Sequence, residues 1–106
     1  MKANEYAVVF TTTSSAGEAE KIAHALLSRR LAACVQVLPM KSYYPWQGQI
    51  QYDEENLLVI KCKNADFKEI ELCIKANHSY ELPEVVQLPI ITGSQENLHW
   101  ISQVTV

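Results

Sequence analysis

Within seven residues, His78, Tyr80, Glu81 and Glu84 bring together an imidazole, a phenol and two carboxylates, with Pro83 between the carboxylates. An imidazole beside carboxylates can hold a divalent cation or pass a proton between acid and base. The apolar run over 85–91 that follows obeys strand logic, so these groups sit at the mouth of a sheet. A plainer role competes with the chemical one. His78 ends a helical pattern, where the macrodipole favours a cation, and the carboxylates can hydrogen-bond a neighbouring subunit. A single imidazole is also a thin shell for a metal.

A second group is aromatic. Tyr43, Tyr44 and Trp46 crowd a turn rimmed by Gln47 and Gln49, and Trp100 stands on a late helical segment. Such rings can wall a pocket, but large aromatics also dominate subunit interfaces, and the interface reading is the stronger. His24 lies beside an apolar helical stripe and faces water, and His99 has no carboxylate one turn away. The hydroxyl-rich run over 11–17 leads into a helix start. It lacks the glycine spacing and lysine of a phosphate-binding loop, and Glu18 and Glu20 repel an anion there, so its role is capping. No Ser/His/Asp or Cys/His order stands out.

These side chains must be positioned by one domain, spanning 1–106. Hydrophobic residues make up 48% of the chain and its net charge is −3, a balance that excludes disorder and an electrostatic footprint for nucleic acid or anionic membrane. The apolar run at the N-terminus is too short for a signal segment and no stretch approaches a membrane span. Cys34, Cys62 and Cys73 are odd in number without C-x-x-C spacing, which predicts three free thiols and a reducing, cytoplasmic setting. Cys62, flanked by Lys61 and Lys63, is the most exposed to reactive chemistry.

The period-two and period-3.6 patterns predict strands over 6–12, 32–40, 50–63 and 84–91. Helices follow Ser15, Asn64 and Ser94. Ser15 and Glu18 form a capping box, Ala19, Ile22, Ala23, Leu26 and Arg30 form the first helix's inner stripe, and Asn64 caps the second helix. The order βαββαβ with a terminal helix predicts a ferredoxin-like α+β fold with antiparallel strand order 4-1-3-2. Pro39 and Pro89 then fall on edge strands, where proline is tolerated. The third strand is apolar on both faces, Leu58, Ile60 and Cys62 against Leu57 and Val59. A bare sheet face of that kind calls for self-association.

The chain closely resembles the CutA family of divalent-cation tolerance proteins. The resemblance is carried by Arg30-Leu31-Ala32-Ala33-Cys34-Val35, Tyr44, Trp46-x-Gly48-x-Ile50, Leu58-x-Ile60-Lys61, His78-x-Tyr80-Glu81-x-Pro83-Glu84, Leu88-Pro89-Ile90, Gly93 and Leu98-x-Trp100-Ile101. It implies a homotrimer built on long hairpins, linked to divalent metal (copper) tolerance without catalysis. A metal ion or small ligand would bind in pockets at subunit boundaries. The pocket residues it implies are Trp46, Lys61, Tyr80, Glu81, Glu84 and Trp100, with His78 as metal ligand and Glu81 or Glu84 as accessory donors. The alternatives are an intersubunit enzyme using His78, Glu81 and Lys61 as acid/base groups, or a module like the PII signalling proteins. Three departures stand out. Ser79 replaces a usual proline and Asn97 a usual tyrosine. Thr11 and Asn77 stand where copper-binding members carry a cysteine and a second histidine, so Cu2+ or another divalent cation is expected to bind weakly.

Overall fold

The computed structural model describes residues 5–106. Its elements run β1 (Tyr6–Thr13), α1 (Ala16–Ser28), β2 (Cys34–Trp46), β3 (Gln49–Lys63), α2 (Phe67–Ala76), β4 (Val86–Pro89) and α3 (Gln95–Val104). One antiparallel sheet has the order β2-β3-β1-β4, as the edge-strand prolines require.

Period two sorts the sheet into a covered and an open face. Ala7, Val9 and Thr11 lie opposite Cys62, Ile60 and Leu58 in the β1–β3 register, and all six are fully buried. Ile22 and Leu26 of α1 and Ile70 and Ile74 of α2 close over this face. On the other face, Leu38, Leu57 and Thr12 form one row, and Val59, Phe10 and Val86 another. Helix α3 covers only one end of it, where Leu98 and Ile101 pack with Tyr6 and the Tyr6 hydroxyl meets Ser102 Oγ at 2.6 Å. The far end stays open, with Leu38 44%, Val86 46% and Leu88 42% exposed.

Strands β2 and β3 outrun the sheet. Beyond the Thr13–Asn56 pair β3 has no partner except β2, yet the two continue together to Trp46 and Gln49. The seven further residues of each strand project roughly 23 Å at ~3.3 Å per residue. This arm gives the molecule its 47 × 26 × 22 Å outline. Its two-residue loop has Gln47 at φ 50° and Gly48 at φ 77°, the paired positive angles of a turn whose twist matches a hairpin. Tyr43 stacks on Tyr52 at 5.6 Å, while Trp46 is 55% and Ile50 82% exposed.

Several boundaries differ from the sequence expectations. The second strand reaches Trp46 instead of Met40, because cross-strand pairing carries it through Pro45 on the free edge. The fourth strand shortens to four residues, since β1 offers partners only from Ala7 to Phe10. Asn64 does not cap α2. A 3-10 turn over Asn64–Asp66 intervenes, and Asn64 Oδ1 accepts from Gln87 Nε2 at 2.8 Å instead. Arg30 is outside the α1 stripe. It takes φ 57° just past the helix, where its N–H donates to Leu27 O and that of Leu31 to Leu26 O, a Schellman closure usually given to glycine.

The three cysteines are free, on β2, β3 and α2. Cys62, despite its lysine neighbours, is fully buried, with Sγ 3.6 Å from Ala7 O, and its thiol is pushed up to about 12 by burial and then by Asp66. The folded value lies above the ordinary one, so the stability gained from a protonated thiol is intact below about pH 8.5 and is lost as pH rises toward 12. Alkylation of the native protein at pH 9 should spare Cys62, while denaturant under non-reducing conditions should release three reactive thiols. A native Cys62 that reacts as fast as a free thiol would overturn this.

Candidate functional site

At the root of the arm, on the open face, lies a cleft of about 780 Å³. Its floor is built by alternate hairpin residues. Ser42 faces Asp53 across the ladder, and Tyr44 and Glu55 lie on the same face. Thr12 closes the floor at the body of the sheet. The wall is the loop between α2 and β4, contributing Tyr80, Glu81, Leu82 and Glu84, and Trp46 stands at the outer end.

His78 fastens this loop and does not line the cleft. Its side chain is fully buried. The Tyr80 backbone N–H donates to Nδ1 at 3.1 Å, so the ring proton resides on Nε2, which donates to Thr12 O at 2.7 Å. Glu18 reaches the same loop from α1. Ser15 caps its backbone, but its carboxylate turns away from a capping box: Oε2 accepts from the Ser79 N–H at 2.8 Å, while Oε1 is buried 3.8 Å from His78 Nδ1. The latch thus joins α1, β1 and the loop.

Two phenols are tied to hairpin carboxylates. The Tyr80 hydroxyl donates to Glu55 Oε2 at 2.8 Å and the Tyr44 hydroxyl to Asp53 Oδ2. Tyr80 is pushed up to about 12, first by burial and then by Glu55, and Tyr44 is raised chiefly by its bond to Asp53. A phenol donating to a carboxylate resists losing its proton.

The cleft gathers Trp46, Tyr80, Glu81 and Glu84 from the expected pocket and leaves Lys61 and Trp100 outside. Lys61 shares the face of Glu55 but lies six residues along β3, roughly 20 Å at ~3.3 Å per residue. Trp100 belongs to α3, which covers the opposite end of that face. The proposed acid/base set of His78, Glu81 and Lys61 is therefore not assembled within this chain, and His78 faces Glu18 instead. Both nitrogens of His78 are engaged, so a metal gains one only if the ring releases the Tyr80 amide. Among the described residues no three His, Cys, Asp or Glu side chains converge as a metal-holding group.

The match of these features to known proteins is extensive. The family model described as CutA1 divalent ion tolerance protein covers residues 7–104. The chain belongs to the CutA1 family. It is 42% identical over 99 residues to the divalent-cation tolerance protein CutA of Thermus thermophilus, covering 92% of this chain and 96% of that protein. It is 37% identical over 99 residues to the chloroplastic CutA of Arabidopsis thaliana, but spans only about half, 54%, of that relative's length. Among solved structures, the Thermus thermophilus protein superposes with TM-score 0.90 at 41% identity, covering 95% of this chain and 99% of that one. CutA1 from Oryza sativa gives 0.92 at 35%, covering 98% and 96%.

Thr11 and Asn77, the two positions at which the sequence lacks the expected cysteine and second histidine, are residues with other surroundings. Thr11 faces the helices, fully buried, with its hydroxyl unpartnered. Asn77 folds back on its own helix, donating from Nδ2 to Cys73 O at 2.8 Å. Sequence reasoning missed Asp53, Glu55 and the second role of Glu18. The acidic run 53–55, just ahead of the apolar stretch Leu57–Ile60, was the available signal, since alternation puts 53 and 55 on one face.

Replacing Tyr80 by Phe removes the Glu55 bond. Because the folded phenol lies above its ordinary value of about 10, its contribution to stability is whole below that pH and is lost as pH rises toward 12. Ultraviolet titration should show the latest phenolate transition missing in the variant. An unchanged late transition would mean that Tyr80 is not the shielded phenol.

Proposed function

We propose that this CutA1 chain acts as a homotrimeric, non-catalytic binding protein in the response to divalent cations, with its ligand site in the cleft at the subunit boundary. The observation that carries this reading is that the acidic cleft shares one sheet face with the uncovered apolar rows, and opens along an arm whose rings have no cover of their own. A two-stranded arm is not stable alone in water, and its free edges and aromatic sides are best satisfied by a sister chain. Assembly then draws neighbours over the cleft, as expected for a site that reports on binding.

The ion-tolerance names of the relatives, together with Asp53, Glu55, Glu81 and Glu84, support a cationic ligand. Glu81 and Glu84 supply accessible oxygens, and His78 adds nitrogen only by giving up the Tyr80 amide. Copper(II) prefers several nitrogen or sulfur donors in fixed geometry, so its binding to this chain is weak.

Light scattering at micromolar concentration should give a mass near three times 12.0 kDa. The Trp46→Ala variant should shift mass toward the single chain more than it lowers helix content, and a wild-type mass near 12.0 kDa would sink the trimer. Calorimetric titration with copper(II) should give affinity no tighter than micromolar, weakened in His78→Ala. Nanomolar affinity, or indifference to His78, would place the metal elsewhere.

A further inference from the structure

Resting on the reading of the cleft as a ligand site, we propose that its wall is a releasable lid, held or let go by Glu18, whose carboxylate exchanges the Ser79 amide for the Ser15 amide. Two attachments of the wall belong to the core. His78 is fully buried and bonded to Thr12 O, and Val85 packs on the main apolar cluster. Between them Glu81, Leu82 and Glu84 are exposed, and no backbone bond holds residues 81–84 among the described residues. What remains is Tyr80, through its amide on His78 and its hydroxyl on Glu55, and the Ser79 N–H on Glu18 Oε2. The Ser79 bond ties the wall to α1, which contributes no residue to the cleft itself.

Glu18 has a second place to go. Ser15 and Glu18 carry the spacing of a capping box, in which the glutamate accepts from the N–H of the capping residue. Half of the box is formed, since Ser15 Oγ accepts from the Glu18 N–H at 3.1 Å. The other half is open. The carboxylate has gone to Ser79, and the Ser15 N–H makes no hydrogen bond among the described residues. The latched arrangement also carries a cost. Oε1 is buried without a partner, and the neighbouring His78 Nδ1, at 3.8 Å, already accepts from the Tyr80 N–H and has no proton to give. Swinging back would return that oxygen to water and complete the box, at the loss of one charge-assisted bond. Each arrangement satisfies one amide and leaves the other, so the two lie close in free energy, as a two-state element requires. Release of Ser79 lets the wall tilt between its anchors at His78 and Val85 and opens the cleft from the side away from the hairpin.

Amide hydrogen exchange followed by NMR on the assembled protein, with no ligand added, tests this. Ser79→Pro removes the latch donor and leaves Glu18 in place. The Ser15 amide should then exchange roughly tenfold more slowly than in the wild type, a gain of protection that the loss of a merely structural bond would not produce. Adding Glu18→Ala to Ser79→Pro should abolish the gain. Glu18→Ala alone should speed the Ser79 and Tyr80 amides roughly tenfold, while Val9 and Ile60 in the β1–β3 ladder stay within about twofold. Ser79→Ala keeps the amide and should match the wild type. A Ser15 amide indifferent to Ser79→Pro, or protected equally without Glu18, would overturn the exchange of partners. Ladder amides that speed up together with Ser79 in Glu18→Ala would make Glu18 a general support of the fold and overturn it as well. Because the measurement contains no ligand, either failure leaves the reading of the cleft to the copper titration.

Discussion

Strand β3 is held on two sides by different partners over different lengths, and the molecule's architecture follows from that mismatch. From Asn56 to Lys63 it pairs with β1, and from Gln49 to Lys61 with β2. The shared segment makes a sheet that helices can cover, while the remainder makes an arm that only the loop carrying Tyr80 meets, at its root, among the described residues. The register is strictly constrained, because a slip of one residue would carry Leu58, Ile60 and Cys62 out of the core and Glu55 into it. Core and cleft are thus set by the same hydrogen bonds, on opposite faces of one strand.

The cleft's floor comes from Thr12 and residues 42–55 and its wall from residues 80–84, so no local motif specifies it. They are brought into contact by the latch around His78, in which a backbone carbonyl of β1, a carboxylate of α1 and an imidazole past α2 fix the loop. A buried histidine with both nitrogens engaged is a structural element first. Its value to a binding site is indirect, through the placement of the Tyr80 phenol on Glu55.

Strand order, core and helix order were legible in the sequence, because prolines and alternating apolar residues act locally and strongly. Leu58, Ile60 and Cys62 declared their common face, and Pro39 and Pro89 their edges. The arm's full length was less legible, since Met40 to Trp46 carry polar and aromatic residues whose pairing depends on β3. Four of the six expected pocket residues line one cleft, Tyr80, Glu81 and Glu84 on the loop at the hairpin root and Trp46 at its outer end. Lys61 and Trp100 fell outside because a shared face says nothing about distance along a strand. The partnership of Glu18 with the loop joins segments some sixty residues apart, and spacing carries no trace of it.

The arm also has a mechanical property. Floor and wall are anchored to different parts of the body, so the cleft's width depends on the angle at which the hairpin leaves the sheet near Pro39 and Asn56. With a projection of roughly 23 Å, a tilt of about 5° moves the Trp46 end by roughly 2 Å while hardly disturbing the root. The hairpin is in that sense a lever whose long end amplifies and whose short end clamps. Whatever holds its tip in an assembly also sets the aperture beneath it.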